Sequence, residues 1–474
     1  MSTQRADATV VGSGPNGLAA AIALAQAGRR VLVLEGAETI GGGARTGELT
    51  LPGFRHDICS AIHPMAVSSP FFLSLPLEAH GLEWVHPEAP LAHPLDDHPA
   101  AMLERDLRAT GATLGPDGEA YARWMEGWVD RWEALSADAL APLGLPSHPF
   151  LMAGFGMAAM RKATAVAHRF EGPAAQALVA GLGAHSMLPL DMVPSAAIGI
   201  MLGIAGHAAG WPFPRGGAQA LSDALADHLR SLGGTVETGV PISRLDEVPT
   251  AGPVIFETAP AHLADIAGDA LPSGFAGKLR RYRHGPGICK LDYALDGPIP
   301  WSDPAVRRAG TVHLGGTLEE IARSERAAWE GEHCEHPFVL LAQQSLFDPT
   351  RAPEGKHTLW AYCHVPSGSD RDVSDRIEAQ IERFAPGFRD LILARHVRTA
   401  TQYQSYNPNY IGGDINGGAP TLGQLFTRPT ARLSPYTTPH KRIFLCSAAT
   451  PPGGGVHGMC GWHAAQAVLR RWPD

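Results

Sequence analysis

The residues Ala8-Thr9-Val10-Val11 run directly into Gly12-Ser13-Gly14-Pro15-Asn16-Gly17, and an alanine-rich segment then leads to Val31-Leu32-Val33-Leu34 and Glu35. This order constrains the chain to strand, tight turn, helix, strand and acid, the unit that holds a dinucleotide. Gly12 permits the turn, Gly14 lets the backbone approach a pyrophosphate, and Gly17 lets helix and strand pack closely. Pro15 and Asn16 open the helix, whose N-terminal amides receive the phosphate charge. Glu35 stands 18 residues past Gly17, placed for the ribose hydroxyls, with Gly36 next to it in the same site.

The next stretch distinguishes flavin from nicotinamide. Gly41-Gly42-Gly43-Ala44-Arg45-Thr46 comes at once after the acid, where a nicotinamide-binding chain would enter another helix. A second glycine turn at Gly42, Gly43 and Ala44 brings Arg45 to the dinucleotide, where its planar, permanently charged fork suits a pyrophosphate. The expected cofactor is FAD. Near the other end, Arg442-Ile443-Phe444-Leu445-Cys446 reads as a buried strand, followed by Ser447, Ala448, a glycine run to Gly455, His457, Gly458 and Met459, and a helix expected over residues 462–469. Ala448 and the glycines let backbone pass under a flat ring. The amides of Gly458 and Met459 are expected to face the flavin carbonyl edge.

Together with residues 52–64, 213–221 and 406–414, these segments resemble the FAD-dependent oxidoreductases of the phytoene dehydrogenase-like group. That group lies in the superfamily of the amine oxidases and the GDI and escort proteins, and the fit is best to its pyridine nucleotide-disulfide oxidoreductase domain-2-like branch. The resemblance implies an α/β fold: a Rossmann-like (GR2-type) FAD-binding domain, discontinuous in sequence, with an inserted α+β substrate domain. The expected FAD-binding parts are residues 1–74, 211–267 and 428–474; the substrate-binding parts are 75–210 and 268–427. Residues 235–245 read as strands, and the resemblance puts Ile242 against adenine. The chain departs from the group by passing quickly through Pro249 and Pro253.

Composition narrows the partners. A net charge of -9, with basic residues scattered along the chain, gives no reason to expect nucleic acid. The 6 cysteines form no C-x-x-C pair and read as reduced structural thiols, and His333-Cys334-Glu335-His336 fits no metal-ligand spacing, so no metal is expected. Residues 1–7 do not read as a leader and no apolar run is long enough to span a bilayer, so the expected location is cytoplasmic. The apolar residues 149–160 and 195–205 read as buried helices lining a substrate cavity, with peripheral membrane contact as the alternative. Trp124, Trp128 and Trp132 recur along one helix face and read as core. A monomer or homodimer is expected.

Three residues are candidates for chemistry. Alternation in Ile288-Cys289-Lys290-Leu291-Asp292-Tyr293-Ala294-Leu295 puts Lys290 and Asp292 on one face of a strand. The resemblance to amine oxidases implies that Lys290 sits near the reactive flavin atom through water; the alternative is a solvated Lys/Asp pair. His63 and His457 lie beside flavin-binding segments, where a neutral imidazole exchanges a proton near pH 7. No second dinucleotide unit is visible in the sequence, since residues 154–159 read as helix packing, so the electron acceptor is expected to be oxygen, a quinone or a redox protein. The reaction implied is hydride removal from carbon, a desaturation of a hydrophobic polyene, terpenoid or lipid-like substrate. Oxidation of a C–N bond with Tyr406 and Tyr410 as an aromatic pair, non-redox double-bond isomerisation, and GDI-like binding without turnover remain open alternatives.

Overall fold

The computed structural model describes residues 6–142 and 144–473. Residues 1–5, on which much of the leader reading rests, lie outside the described residues. Five short strands form one parallel sheet in the order Ile443–Leu445, Val254–Phe256, Ala8–Val11, Val31–Leu34, Thr235–Glu237. The first four strands in this order are almost wholly apolar and buried, as a parallel sheet covered on both faces requires. Pro15 starts the helix Pro15–Gln26 at the position where a missing N–H costs nothing, and every residue from Pro15 to Ala25 is buried. Its small side chains let it lie against the final helix, Met459–Arg471, so closely that a Cβ on Gly461 would stand 1.8 Å from the carbonyl oxygen of Asn16.

A second sheet has seven strands, in the order Ile392–Arg398, Gly287–Leu295, His357–Val365, Val339–Ala342, Ala309–Leu314, Ala89–His93, Ala101–Leu103. Its pairs are antiparallel except that between Ala309–Leu314 and Ala89–His93. One face carries Cys289, Leu291, Tyr293 and Leu295 into a core closed by the helix Ser374–Phe384. The other face, with Leu340, Ala342, Trp360 and Tyr362, meets a cluster of helices that includes Gly118–Val129, Pro173–Ala184 and Ala196–Ala208.

Several sequence expectations are corrected. Residues 75–210 contribute two strands, Ala89–His93 and Ala101–Leu103, to the second sheet, short apolar runs with too few residues to fix a period in sequence. Within 235–245 only Thr235–Glu237 is a strand, since no neighbouring strand extends far enough to pair with residues 238–245. The final helix starts at Met459 and runs to Arg471. The tryptophan stripe is split between helices Gly118–Val129 and Trp132–Ala139, and its three indoles are only partly buried at the edge of a core centred on Tyr121 and Met125. The helix Pro149–Ala159 turns Leu151 and Phe155 inward but leaves Phe150 93% and Met157 71% exposed. Among the described residues no helix is long and apolar enough to cross a membrane.

The contact at Gly461 yields a prediction whose sign opposes helix propensity. Alanine is the better helix former by about 1 kcal/mol. The added methyl must nevertheless push two helices apart, and overpacking of this kind costs about 1–3 kcal/mol. Gly461→Ala is expected to lower the melting temperature in thermal unfolding followed by circular dichroism, whereas Gly423→Ala, where a Cβ meets open space, is expected to leave it unchanged or raise it.

Candidate cofactor and substrate site

One cavity of about 1090 Å³ runs from the first glycine turn to the helices under the second sheet. At the dinucleotide end two glycine turns meet backbone to backbone. Gly12 has φ +105°, a Cβ on Gly17 would lie 2.2 Å from the Gly12 oxygen, and one on Gly42 would lie 3.1 Å from Gly14 Cα. The Gly41 N–H donates to the Ser13 carbonyl (3.0 Å), tying the turns together. Gly12, Gly14, Pro15, Asn16, Gly42, Gly43 and Ala44 line the cavity, while Gly17 stands behind them as packing.

Glu35 and Gly36 also line it. Glu35 Oε2 accepts from the backbone N–H (2.9 Å) and hydroxyl (2.6 Å) of Ser13, and Oε1 accepts from Ala37 N–H (2.9 Å). Arg45 faces the cavity but is largely committed. Its Nε donates to Ile40 O (3.1 Å), and Nη2 donates to Thr39 O (2.6 Å) and Glu35 Oε1 (3.3 Å). Nη1 reaches the Tyr406 hydroxyl at 3.4 Å. The expected free fork is thus corrected to a buried brace that holds Glu35 and offers the cavity mainly Nη1. Ile242 lines the cavity with Val240 and Pro241, opposite Gly36, whose Cβ would lie 3.4 Å from Pro241 Cα. Ile242 thus stands at the cavity wall beside the strand end that carries Glu35, on the side where the resemblance puts the adenine.

From the tail, Ala448 and the stretch Gly454 to His457 line the cavity, but Gly458 and Met459 do not. The Met459 N–H donates to His457 Nδ1 (3.0 Å), and a Cβ on Gly458 would strike Phe72 at 2.4 Å. The expectation that these two residues face the flavin is therefore corrected: the Met459 amide is spent on His457, and neither residue lines the cavity. His457 itself lines the cavity, and burial pushes its pKa down to about 4. With Nδ1 accepting, its proton sits on Nε2. His63 also lines the cavity, paired with the Ser60 hydroxyl through Nε2 (2.9 Å), and burial again lowers its pKa to about 4. Both rings are neutral at pH 7, so neither exchanges a proton near that pH as expected.

Lys290 is corrected more sharply. It is fully buried and pairs with Asp292, with His56 Nδ1 3.7 Å and His396 Nδ1 3.8 Å from the same carboxylate. Burial lowers the Lys290 pKa against the pull of Asp292. For Asp292 burial works upward, but Lys290 and the histidines outweigh it. The ammonium lies 5.7 Å from the ring centroid of Trp360, and it is Trp360 that lines the cavity, not Lys290. The pair is thus neither solvated nor at the cavity wall.

At the other end the lining is apolar, from Ile62 and Met65 to Met152 and Phe155 and then Ile198 and Met201. On this side the lining residues include shielded polar atoms with no hydrogen-bond partner: His63 Nδ1, Thr311 Oγ1 and Trp360 Nε1. Such atoms cost about 1–3 kcal/mol each until a ligand or water satisfies them. Register explains the last two, since Thr311 and Trp360 both pair with Ala342 from opposite sides and so share a sheet row. Sequence reasoning missed both, along with Arg428, a buried lining residue whose Nη2 donates to Ala448 O (2.9 Å), and Glu257. None belongs to a glycine motif, and only cross-strand register or a turn remote in sequence brings them in. Tyr406 and Tyr410 line the cavity beside Arg45 and Gly43.

The paired turns and the acid at the strand end fit FAD, whereas the Glu257 carboxylate at the helix N-terminus is at odds with it. Comparison with known proteins agrees. The NAD(P)-binding Rossmann-like domain family matches residues 10–71. The mouse pyridine nucleotide-disulfide oxidoreductase domain-containing protein 2 is 25% identical over 98% of this chain and 93% of its own length. Phytoene dehydrogenase of Streptomyces griseus is 27% identical over 81% of this chain and 77% of its own. Among solved structures, a putrescine oxidase variant redesigned in its cofactor binding shares the fold with a TM-score of 0.63 at 17% identity, covering 98% of this chain and 99% of that one. The chain is thus similar over nearly its whole length to pyridine nucleotide-disulfide oxidoreductase domain-containing protein 2 and over most of it to a phytoene dehydrogenase, and its fold is that of the putrescine oxidase.

Proposed function

We propose that this FAD-dependent oxidoreductase takes hydride from one carbon of a hydrophobic polyene, terpenoid or lipid-like substrate while the neighbouring carbon loses a proton that is released to solvent, leaving a new double bond. The observation that carries the reading is the cavity: at about 1090 Å³ it is at the upper end of ligand sites, and its far half is walled by aliphatic and aromatic side chains. Bound FAD supplies the hydride acceptor. The chain supplies placement and a dry chamber. Thr311 and Trp360, which share a row of the second sheet, and His63 line this half and give the otherwise apolar wall polar side chains for orienting the substrate. Orientation of this kind is worth several orders of magnitude in rate without any acid or base. Oxygen, a quinone or a redox protein then takes up the electrons.

Oxidation of an amine is less well supported. The carboxylates lining the cavity, Glu35, Glu257 and Asp265, belong to the elements around the first glycine turn. Among the described residues the apolar chamber offers none to hold an ammonium. Tyr406 and Tyr410 are tied to Arg45 and Gly43 at the cofactor end rather than framing the chamber.

The test is anaerobic mixing of the yellow protein with polyenes, acyl lipids and primary amines. Loss of the oxidised-flavin absorption with a polyene or lipid, and a product two hydrogens lighter, is the expected result. Bleaching by amines alone would replace the reading with C–N oxidation, an isomeric product without bleaching would point to isomerisation, and a protein that binds prenyl chains without turnover to an escort role. The rate of flavin reduction is expected to show no titration near pH 6.5, because His63 and His457 stay neutral down to about pH 4. An inflection near 6.5 that disappears in His63→Asn would show that ring to be a working base.

A further inference from the structure

Glu257 comes directly after the strand Val254–Phe256, and its backbone N–H donates to Val11 O (2.8 Å), continuing the sheet by one step. Its side chain then turns into the first glycine turn. Oε1 accepts from Asn16 N–H at 3.0 Å. A Cβ on Gly14 would lie 2.6 Å from Oε1, and one on Gly17 would lie 2.5 Å from Oε2. Oε2 is shielded from solvent and has no hydrogen bond of good geometry. Pro15 has no N–H and Leu18 N–H is spent on Gly14 O (2.9 Å), so the amides of Gly14, Asn16 and Gly17 are the donors left at this helix N-terminus. The carboxyl therefore sits on the amides that the dinucleotide reading assigns to a pyrophosphate, and it lines the same cavity.

Two anions on one set of amides is an arrangement a helix N-terminus cannot support, because its partial positive charge is about half a unit. We propose that Glu257 is a cofactor-site residue that admits the pyrophosphate of FAD only as its neutral acid, so that in alkaline solution FAD binding takes up one proton at this carboxyl. The inference rests on the FAD assignment. The surroundings support it. Burial pushes the Glu257 pKa up to about 8 against the opposing amides of Gly17, Asn16 and Gly14, and Glu35 adds to the rise. Glu35 is itself ion-paired with Arg45 (3.3 Å), which leaves little cationic charge for Glu257. On the strand and helix behind it, burial keeps the Cys446 and Cys460 thiols protonated. His262 and Asp265, on the helix Pro260–Ala267, line the cavity beyond it. At pH 7 the carboxyl is neutral and costs the cofactor nothing; above pH 8 it must be reprotonated before FAD enters.

The experiment is a titration of deflavinated wild type and Glu257→Gln with FAD at pH 7 and pH 9, read by flavin fluorescence, with the proton count taken in weak buffer. For the wild type, one-proton linkage predicts binding about tenfold weaker at pH 9 than at pH 7, with about one proton taken up per FAD at pH 9 and almost none at pH 7. Glu257→Gln keeps the shape and an accepting oxygen but does not titrate, and is expected to bind FAD equally at both pH values. Equal binding and no proton uptake in the wild type, or a pH dependence that survives in Glu257→Gln, overturns the inference and leaves the cofactor assignment standing. If the variant does not fold, the wild-type proton count decides alone. An apoprotein that takes no FAD at either pH overturns both.

Discussion

Backbone meets backbone without intervening side chains at three places around the first helix: Gly17 on the Gly12 carbonyl, Gly42 on Gly14, and Gly461 on the Asn16 carbonyl. Each is an approach that one methyl group would block. The contacts fix how far the helix stands from its strand, how the second glycine turn lies across the first, and how the last helix of the chain closes over the start. The parallel sheet collects strands from residues 8–34, 235–256 and 443–445, so these approaches also hold distant segments together. The alanines of Pro15–Gln26 are the visible consequence: their hydrophobic contribution per residue is small, and they serve here by permitting proximity.

The two sheets are joined by a buried charge cluster. Asp57 Oδ1 accepts from Ala218 N–H (2.7 Å) and Thr46 Oγ1 (2.8 Å), while Oδ2 accepts from Arg351 Nη1 (3.0 Å) and Gln344 Nε2 (3.2 Å). Arg351 also reaches Asp348 (3.0 Å) and the Pro214 carbonyl (3.3 Å), and Asp348 receives Gly216 N–H (2.7 Å). Such a cluster adds little net stability over an apolar substitute, but removing one member costs about 3–5 kcal/mol, so it acts chiefly to specify one docking of the layers. It also explains why residues 52–64 and 213–221 carry the family resemblance: they are the two sides of this junction.

The dinucleotide end was legible because its chemistry lies in backbone constraints that glycine spacing records: a tight turn, a close approach and an acid at a strand end. Glu35 and the paired turns are read directly from that record. Lys290 shows where legibility stops. Alternation correctly set Lys290 and Asp292 on one face, but sequence does not say what covers that face, and Trp360 from the neighbouring strand stands between the pair and the cavity. The Met459 amide fails for a similar reason, since its N–H donates to His457 Nδ1, a local bond the glycine spacing does not record. Glu257, Arg428 and Thr311 leave no trace in a local pattern, because their roles come from register and chain crossings.

Charge along the cavity is distributed in a way that bears on the chemistry. Glu35, Arg45 and Glu257 stand at the glycine turns, whereas the lining histidines of the chamber side, His63 and His185, are held neutral by burial, with pKa values of about 4 and about 3. His185 shares a hydrogen bond with His313 (2.9 Å), and burial keeps that ring uncharged as well. Among the described residues the apolar chamber has no carboxylate in its lining, and its low polarity strengthens whatever hydrogen bond orients the ligand. Desaturation in such a place would couple hydride removal to loss of the neighbouring proton, so that the charge left on carbon passes into the double bond while the reacting carbon is held against the cofactor. The charged end binds and the neutral end positions; the boundary between them lies at Arg45, Tyr406 and Tyr410, where one turn of backbone touches both.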